Sequence, residues 1–201
     1  MAACRCFDRV RVVRETASTQ DVARAAAGGT PGLVVAAGRQ TQGRGQRGRR
    51  WEQRGDLGVA VTFVAAADRS EHLSRVAGVS ALWACAEAIA GGDGAPQLGI
   101  KAPNDVVVSA TGWTGGRRKL AGVLIEQGDG LAMIGVGINV GHGEEDFGPE
   151  LRGRACSLRM LGVACPRVAV IAGLIRAMDH WLGASVESAG AEWQARLVGA
   201  E

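Results

Sequence analysis

The stretch Gly38-Arg-Gln-Thr-Gln-Gly-Arg-Gly-Gln-Arg-Gly-Arg-Arg-Trp51 decides how the fold of this chain is read. It follows Gly32–Ala37, GLVVAA, a short apolar run that predicts a buried strand. Gly43, Gly45 and Gly48 match GxGxxG directly after that strand. The dinucleotide-binding fingerprint must also open an apolar helix, and here Arg47, Arg49, Arg50 and Trp51 follow instead. A regular doubly wound dinucleotide fold is therefore set aside. Glycines let the backbone approach an anion, and interleaved guanidinium groups neutralise it through forked donors. Trp51 adds a flat aromatic face. The bland alternative is a solvated basic loop. A third reading is RNA, since residues 39–54 carry six arginines against Glu52 alone.

Working outward, residues 7–14 alternate apolar and charged around Phe7, Val10 and Val12, which predicts a short strand. Ser18 and Thr19 precede QDVARAAAGG, a short helix with hydroxyl caps and Gly28–Gly29 as its stop. Residues 39–56 read as loop, and Leu57–Val64 as a second strong strand. Ser70 caps a long helix that Gly91–Gly92 end. Strands are predicted at 98–101 and 105–109, then a loop over 110–118. Leu120–Gln127 and Leu131–Val140 form a hairpin about Gly128-Asp-Gly130. Residues 141–157 read as loop. Pro166 opens a helix over 167–183, and 187–198 form a last helix. This mixture predicts an α/β (α+β) chain with one mixed β-sheet, not a regular βαβ alternation.

The 201 residues suit one domain, 1–201, able to bury ~70% of its unfolded surface. No apolar run reaches the roughly 18 residues of a spanning helix, so no membrane partner is expected. The N-terminal residues show no apolar signal region. Five cysteines at 4, 6, 85, 156 and 165 are odd in number and scattered, and read as reduced thiols in a cytoplasm. No CxxC or HExxH occurs, and His72, His142 and His180 lack ligand spacing, so no structural metal is expected. The net charge is only +3, but 21 arginines stand against two lysines, Lys101 and Lys119.

Both lysines fall inside motifs. Lys101-Ala-Pro-Asn-Asp105 lies between two short strands, and alone reads as a rigid turn. Arg117-Arg-Lys-Leu-Ala-Gly122 is a cationic entrance to a strand. Gly135-Val-Gly-Ile-Asn-Val140 puts glycines in a strand, which marks tight packing or the close approach of a ligand.

Taken in order, Ser18-Thr19, Gln40, Gly43-Arg-Gly45, Gly48-Arg49-x-Trp51, KxPND, RKLAG and GxGIN resemble the catalytic domain of bacterial biotin protein ligases over roughly residues 12–198. The resemblance implies a fold shared with class II aminoacyl-tRNA synthetase cores. It implies that biotin and ATP form biotinyl-5′-AMP, and that the biotinyl group passes to a lysine of a carboxylase's biotin carboxyl carrier protein. It also implies roles. Ser18, Thr19, Gln20 and Gln40 would hold the ureido ring, with Gly43, Arg44 and Gly45 wrapping the ligand. Gln46, Arg47 and Arg49 would face phosphates, Trp51 the adenine, and Asn104 and Asn139 the nucleotide. Lys119, Arg44 and Asp105 would be catalytic, Asp105 also holding Mg²⁺. A lipoate or octanoate ligase, a weakly active homologue and a nucleic-acid-binding module are the alternatives.

The chain departs from the family pattern at Gln46, where relatives usually carry arginine, at Ala102, usually tryptophan, and at Gln20, often asparagine. The resemblance further implies a catalytic domain without the DNA-binding winged helix and without the usual C-terminal β-barrel. No DNA partner is expected, and a homodimer is left open.

Overall fold

The computed structural model describes residues 5–68, 70–90, 96–109, 113 and 116–199. Cys4, Gly91, Gly92 and most of the expected loop 110–118 up to residue 115 lie outside the described residues. Seven strands make one mixed sheet: β1 (Arg9–Thr16), β2 (Leu33–Gln40), β3 (Gly58–Ala66), β4 (Gln97–Lys101), β5 (Asp105–Ser109), β6 (Arg118–Gly128) and β7 (Leu131–Asn139). Their order is β1-β2-β3-β7-β6-β5-β4. β1 and β2 pair in parallel and the other neighbours antiparallel. Helices α2 (Ser70–Ile89) and α3 (Arg167–Leu182) pack together over one face, with α4 (Val186–Arg196) against α2. Helix α1 (Thr19–Ala26) covers β2, β3 and β7 on the opposite face.

β2 and β3 read as unbroken apolar runs because both of their faces are covered. Val34, Val59, Val61 and Phe63 join the large core under α2 and α3, while Leu33, Val35 and Val64 join a smaller one under α1. β7 shows where the second layer stops. Alternate residues of a strand share a face. Ala132, Ile134, Val136 and Ile138 enter the large core. On the other face Leu131 and Met133 lie under α1, and the same row continues as Gly135, Gly137 and Asn139. The apolar row turns to glycine where α1 no longer covers it, and there the sheet opens into a cavity.

The alternation in 7–14 marks a strand as expected, and Val10 and Val12 in it are 64% and 75% exposed. They lie on the edge strand, on a face that no described residue covers, while Phe7 packs on Phe63 with ring centroids 5.0 Å apart. Two local expectations are corrected. Residues 43–51 form a miniature hairpin, not an irregular loop. Trp51 N donates to Gly43 O at 2.9 Å and Gly45 N to Arg49 O at 2.7 Å, around a turn at Gln46–Gly48. Its ladder lacks an apolar pattern, so periodicity could not reveal it. Finally, α4 ends at Arg196, and Val198 N donates to Ile100 O at 3.0 Å, which ties the following residues to β4.

Candidate active site

The cavity holds about 800 Å³ on the uncovered face of β5, β6 and β7. Its floor depends on missing side chains. A Cβ on Gly137 would lie 2.5 Å from Cζ2 of Trp51, and one on Gly135 would lie 2.6 Å from Nε2 of Gln20. Both side chains therefore rest on bare backbone, as the GxGIN glycines suggested. Trp51 is half-buried, so it is wall rather than core.

One end carries two fixed amides. Gln40 Oε1 accepts from Thr19 N at 2.7 Å and from Thr19 Oγ1 at 3.0 Å. Thr62 Oγ1 donates in turn to Thr19 Oγ1 at 2.8 Å. A backbone N–H demands an acceptor, so Gln40 must turn its Nε2 donor the other way, towards Gly43. Gln20 is set oppositely. Its Nε2 donates to Leu124 O at 2.9 Å, and its buried Oε1 has no partner. A buried acceptor left unpaired costs roughly 1–3 kcal/mol. This end of the cavity thus offers one oriented donor, with an unpaired acceptor buried beside it. Ser18 caps α1 beside them, its hydroxyl accepting from Gln20 N at 3.3 Å.

The other end is ionic, and a β-bulge builds it. Val106 pairs with Ala121 but Val107 with Lys119, so Leu120 is an extra residue in β6. Ala121 and Leu120 both enter the core, and Lys119 is re-aimed to the cavity face. The freed backbone of Lys119 finds other partners. Its N–H donates to Arg154 O at 2.8 Å, and its carbonyl accepts from Cys156 N at 2.9 Å. Nζ of Lys119 lies 2.6 Å from Asp105 Oδ1 and 5.6 Å from the centre of the Trp51 ring. The neighbouring cations do other work. Arg118 stacks on Trp113 and pairs with Glu144 at 2.8 Å, and Arg117 donates to Gly199 O at 3.1 Å.

Ser18, Thr19, Gln20, Gln40, Arg44, Gly45, Gln46, Arg47, Arg49, Trp51, Asn104, Asp105, Lys119 and Asn139 all line this cavity. Gly43 does not; it lets the backbone of Trp51 pass, since a Cβ there would lie 2.6 Å from Trp51 O. Arg44 is placed otherwise than a catalytic cation would be. Its guanidinium donates to both oxygens of Asp21 at 2.9 and 2.8 Å and to both of Glu126 at 3.0 and 3.2 Å. These carboxylates raise its pKa, and Arg44 in turn lowers that of Asp21. Here it fastens the hairpin to α1 and β6. Asn139 Nδ2 donates to Cys156 O at 2.9 Å, and Asn104 Nδ2 donates to Val123 O, so both amides also hold backbone. Sequence reasoning missed Thr62 and Gln53. Gln53 accepts from Gln40 N at 3.1 Å and donates to Gly38 O and Gly58 O. A threonine inside an apolar strand and a glutamine in a polar loop carry no signal of their own.

Comparison with known proteins bears on this site. The sequence model of the biotin/lipoate A/B protein ligase family matches residues 11–141. The biotin--[acetyl-CoA-carboxylase] ligase of Mycobacterium tuberculosis is 36% identical, over 93% of this chain and 70% of that protein. Among solved structures, the biotin protein ligase of Aquifex aeolicus in complex with biotin and ATP superposes with a TM-score of 0.79 at 24% identity, covering 96% of this chain and 79% of that one. The Leishmania major biotin protein ligase in complex with biotinyl-5-AMP gives 0.77 at 22% identity, over 96% of this chain and 83% of that one. The structures establish the shared fold. With a family match across β1 to β7 and a relative 36% identical over nearly the whole of this chain, the chain belongs to the biotin/lipoate A/B protein ligase family.

Proposed function

We propose that this chain activates biotin with ATP as biotinyl-5′-AMP and transfers the biotinyl group to a lysine of a carboxylase's biotin carboxyl carrier protein. The observation that carries the biotin reading is the amide pair. A ureido group brings one carbonyl and two N–H groups; the carbonyl matches the Nε2 donor of Gln40, and an N–H that reached the buried, unpaired Oε1 of Gln20 would satisfy it. A dithiolane or an alkyl chain brings neither, and would leave Gln20 Oε1 buried and unpaired.

From that anchor the acid's carboxylate extends towards Lys119. Attack of this carboxylate on the α-phosphate of ATP releases pyrophosphate. The protein's task is to hold two anions together and stabilise charge on phosphorus. Lys119, Arg47 and Arg49 supply the charge, and Trp51 the flat wall for adenine. Arg44 acts by holding the hairpin over the site. Mg²⁺ binds through oxygen, commonly by one or two carboxylates with substrate phosphates. Asp105, the carboxylate that lines the ionic end, is the residue that would hold Mg²⁺ arriving with ATP. A cytoplasmic setting agrees with the free Cys85 and Cys156, whose thiols burial pushes up, that of Cys156 to about 12.

The test is incubation with biotin, MgATP and a carrier domain, read by the mass of the carrier. A biotinylated carrier lysine is expected. Transfer of lipoate or octanoate in preference to biotin would overturn the reading.

A further inference from the structure

The chain has two amine side chains, and both line one cavity. Lys119 is held by Asp105. Lys101, the last residue of β4, is exposed, and no described residue engages its amine. Its side of the sheet follows from register. Lys101 pairs directly with Asp105, Asp105 with Gly122, and Gly122 with Gly137. Directly opposed residues share a face, so Lys101 stands at the end of the row that carries Asp105 and the glycine bed of Trp51. Neighbouring strands are about 4.8 Å apart. Lys101 is thus one strand from the carboxylate that grips Lys119.

We propose that Lys101 is a self-acylation site: when no carrier collects the activated acyl group, the Lys101 amine takes it within the same molecule. The inference rests on the adenylate-forming reading above. The amine's lone pair attacks the acyl carbon of biotinyl-5′-AMP. The bond from that carbon to the phosphate oxygen breaks, AMP leaves with the electron pair, and the amine's proton passes to water. An amide replaces a cation on the rim, and the linked group stands where a carrier lysine must enter. Unused adenylate thereby marks and blocks its own enzyme.

The experiment uses the full chain and no carrier. Wild type and Lys101→Arg are incubated either with biotin and MgATP or with synthetic biotinyl-5′-AMP. Pyrophosphate release, intact mass and peptide maps are recorded. One biotinyl group on Lys101 is expected in wild type, at a rate per molecule unchanged by dilution. Lys101→Arg is expected to release pyrophosphate as wild type does and to carry no label. Label on the N-terminal amine or Lys119 instead, undiminished label in Lys101→Arg, a rate that falls with dilution, or no label from the synthetic adenylate overturns the proposal. So does loss of pyrophosphate release in Lys101→Arg, which would place Lys101 in the machinery. Label from the synthetic adenylate without pyrophosphate release in wild type would instead sink the adenylation reading and leave Lys101 as the acceptor.

Discussion

At the scale of single residues, charge and hydrogen-bond polarity set what the cavity can do. Lys119→Ala should lower pyrophosphate release by roughly 10²–10³, the cost of removing a charge aimed at the reacting group. The half-exposed pair with Asp105 contributes only ~0–1 kcal/mol to stability, so the melting curve should barely move. An unchanged rate of biotin-dependent pyrophosphate exchange would contradict the assignment. Gln20 makes a different trade. Gln20→Met removes a buried acceptor that has no partner in the free protein, so the ligand-free melting temperature should hold or rise. Biotin affinity should fall by about 1–3 kcal/mol, roughly 5–150-fold. Calorimetry with biotin and a thermal melt of the same sample check both halves. Motif order made these residues legible because each carries chemistry suited to an anion or a ureido group. Thr62 and Gln53 stayed hidden because they act through Thr19 and Gln40, and only the fold brings them there.

Among elements, the 43–51 hairpin is the one whose position matters most. Its backbone is held by few bonds, and its turn keeps Arg47 at a φ of 57°, which costs a non-glycine residue about 1–2 kcal/mol. Such an element needs an anchor, and Arg44 between Asp21 and Glu126 is one. The double variant Asp21→Asn, Glu126→Gln should therefore loosen the hairpin without opening the core. Trypsin, which cuts after arginine, reads this directly: cleavage after Arg47, Arg49 and Arg50 should be faster than in wild type while the melting temperature changes little. Equal cleavage rates would show that the hairpin is held by its own ladder. The strands and helices around it were largely legible from periodicity, as the hairpin of β6 and β7 shows. Alternation marked β1 as a strand but could not say that its two valines face outward, because it shows that one face differs from the other and not which face is covered.

For the whole molecule, acid sensitivity offers a test of how the layers are closed. His142 is buried, stacks on Phe147 at 5.2 Å and leaves Nδ1 without a partner. Burial holds its pKa below the ordinary value of about 6.5, Asp146 opposes the shift, and Arg167 adds to it. As pH falls below about 6.5 the unfolded chain gains a proton that the folded chain refuses, so stability is lost until the lowered folded value is reached. It is fully present above that window. Urea midpoints at pH 7.5 and 5.5 should differ more in wild type than in His142→Gln; equal differences would remove His142 as the cause. The sheet's class was legible from the mixture of elements and one clear hairpin. Its strand order was not, because β3 pairs with β7 across α2 and three intervening strands, and nothing local encodes that partner.

The bulge at Leu120 has a meaning for how this site tolerates change. Most substitutions at 120 alter packing and leave the count of residues between Ala121 and Lys119 intact. Inserting one residue into β5 between Val106 and Val107 adds no chemistry, yet would give Leu120 a partner, restore a regular ladder and put Lys119 on the apolar face of Ala121. The cavity would then lose the cation at its reacting end, and Asp105 its partner. The instruction that makes this lysine functional is written in spacing rather than in residue type. Lengthening the partner strand by one position is therefore expected to be more damaging than most substitutions within it.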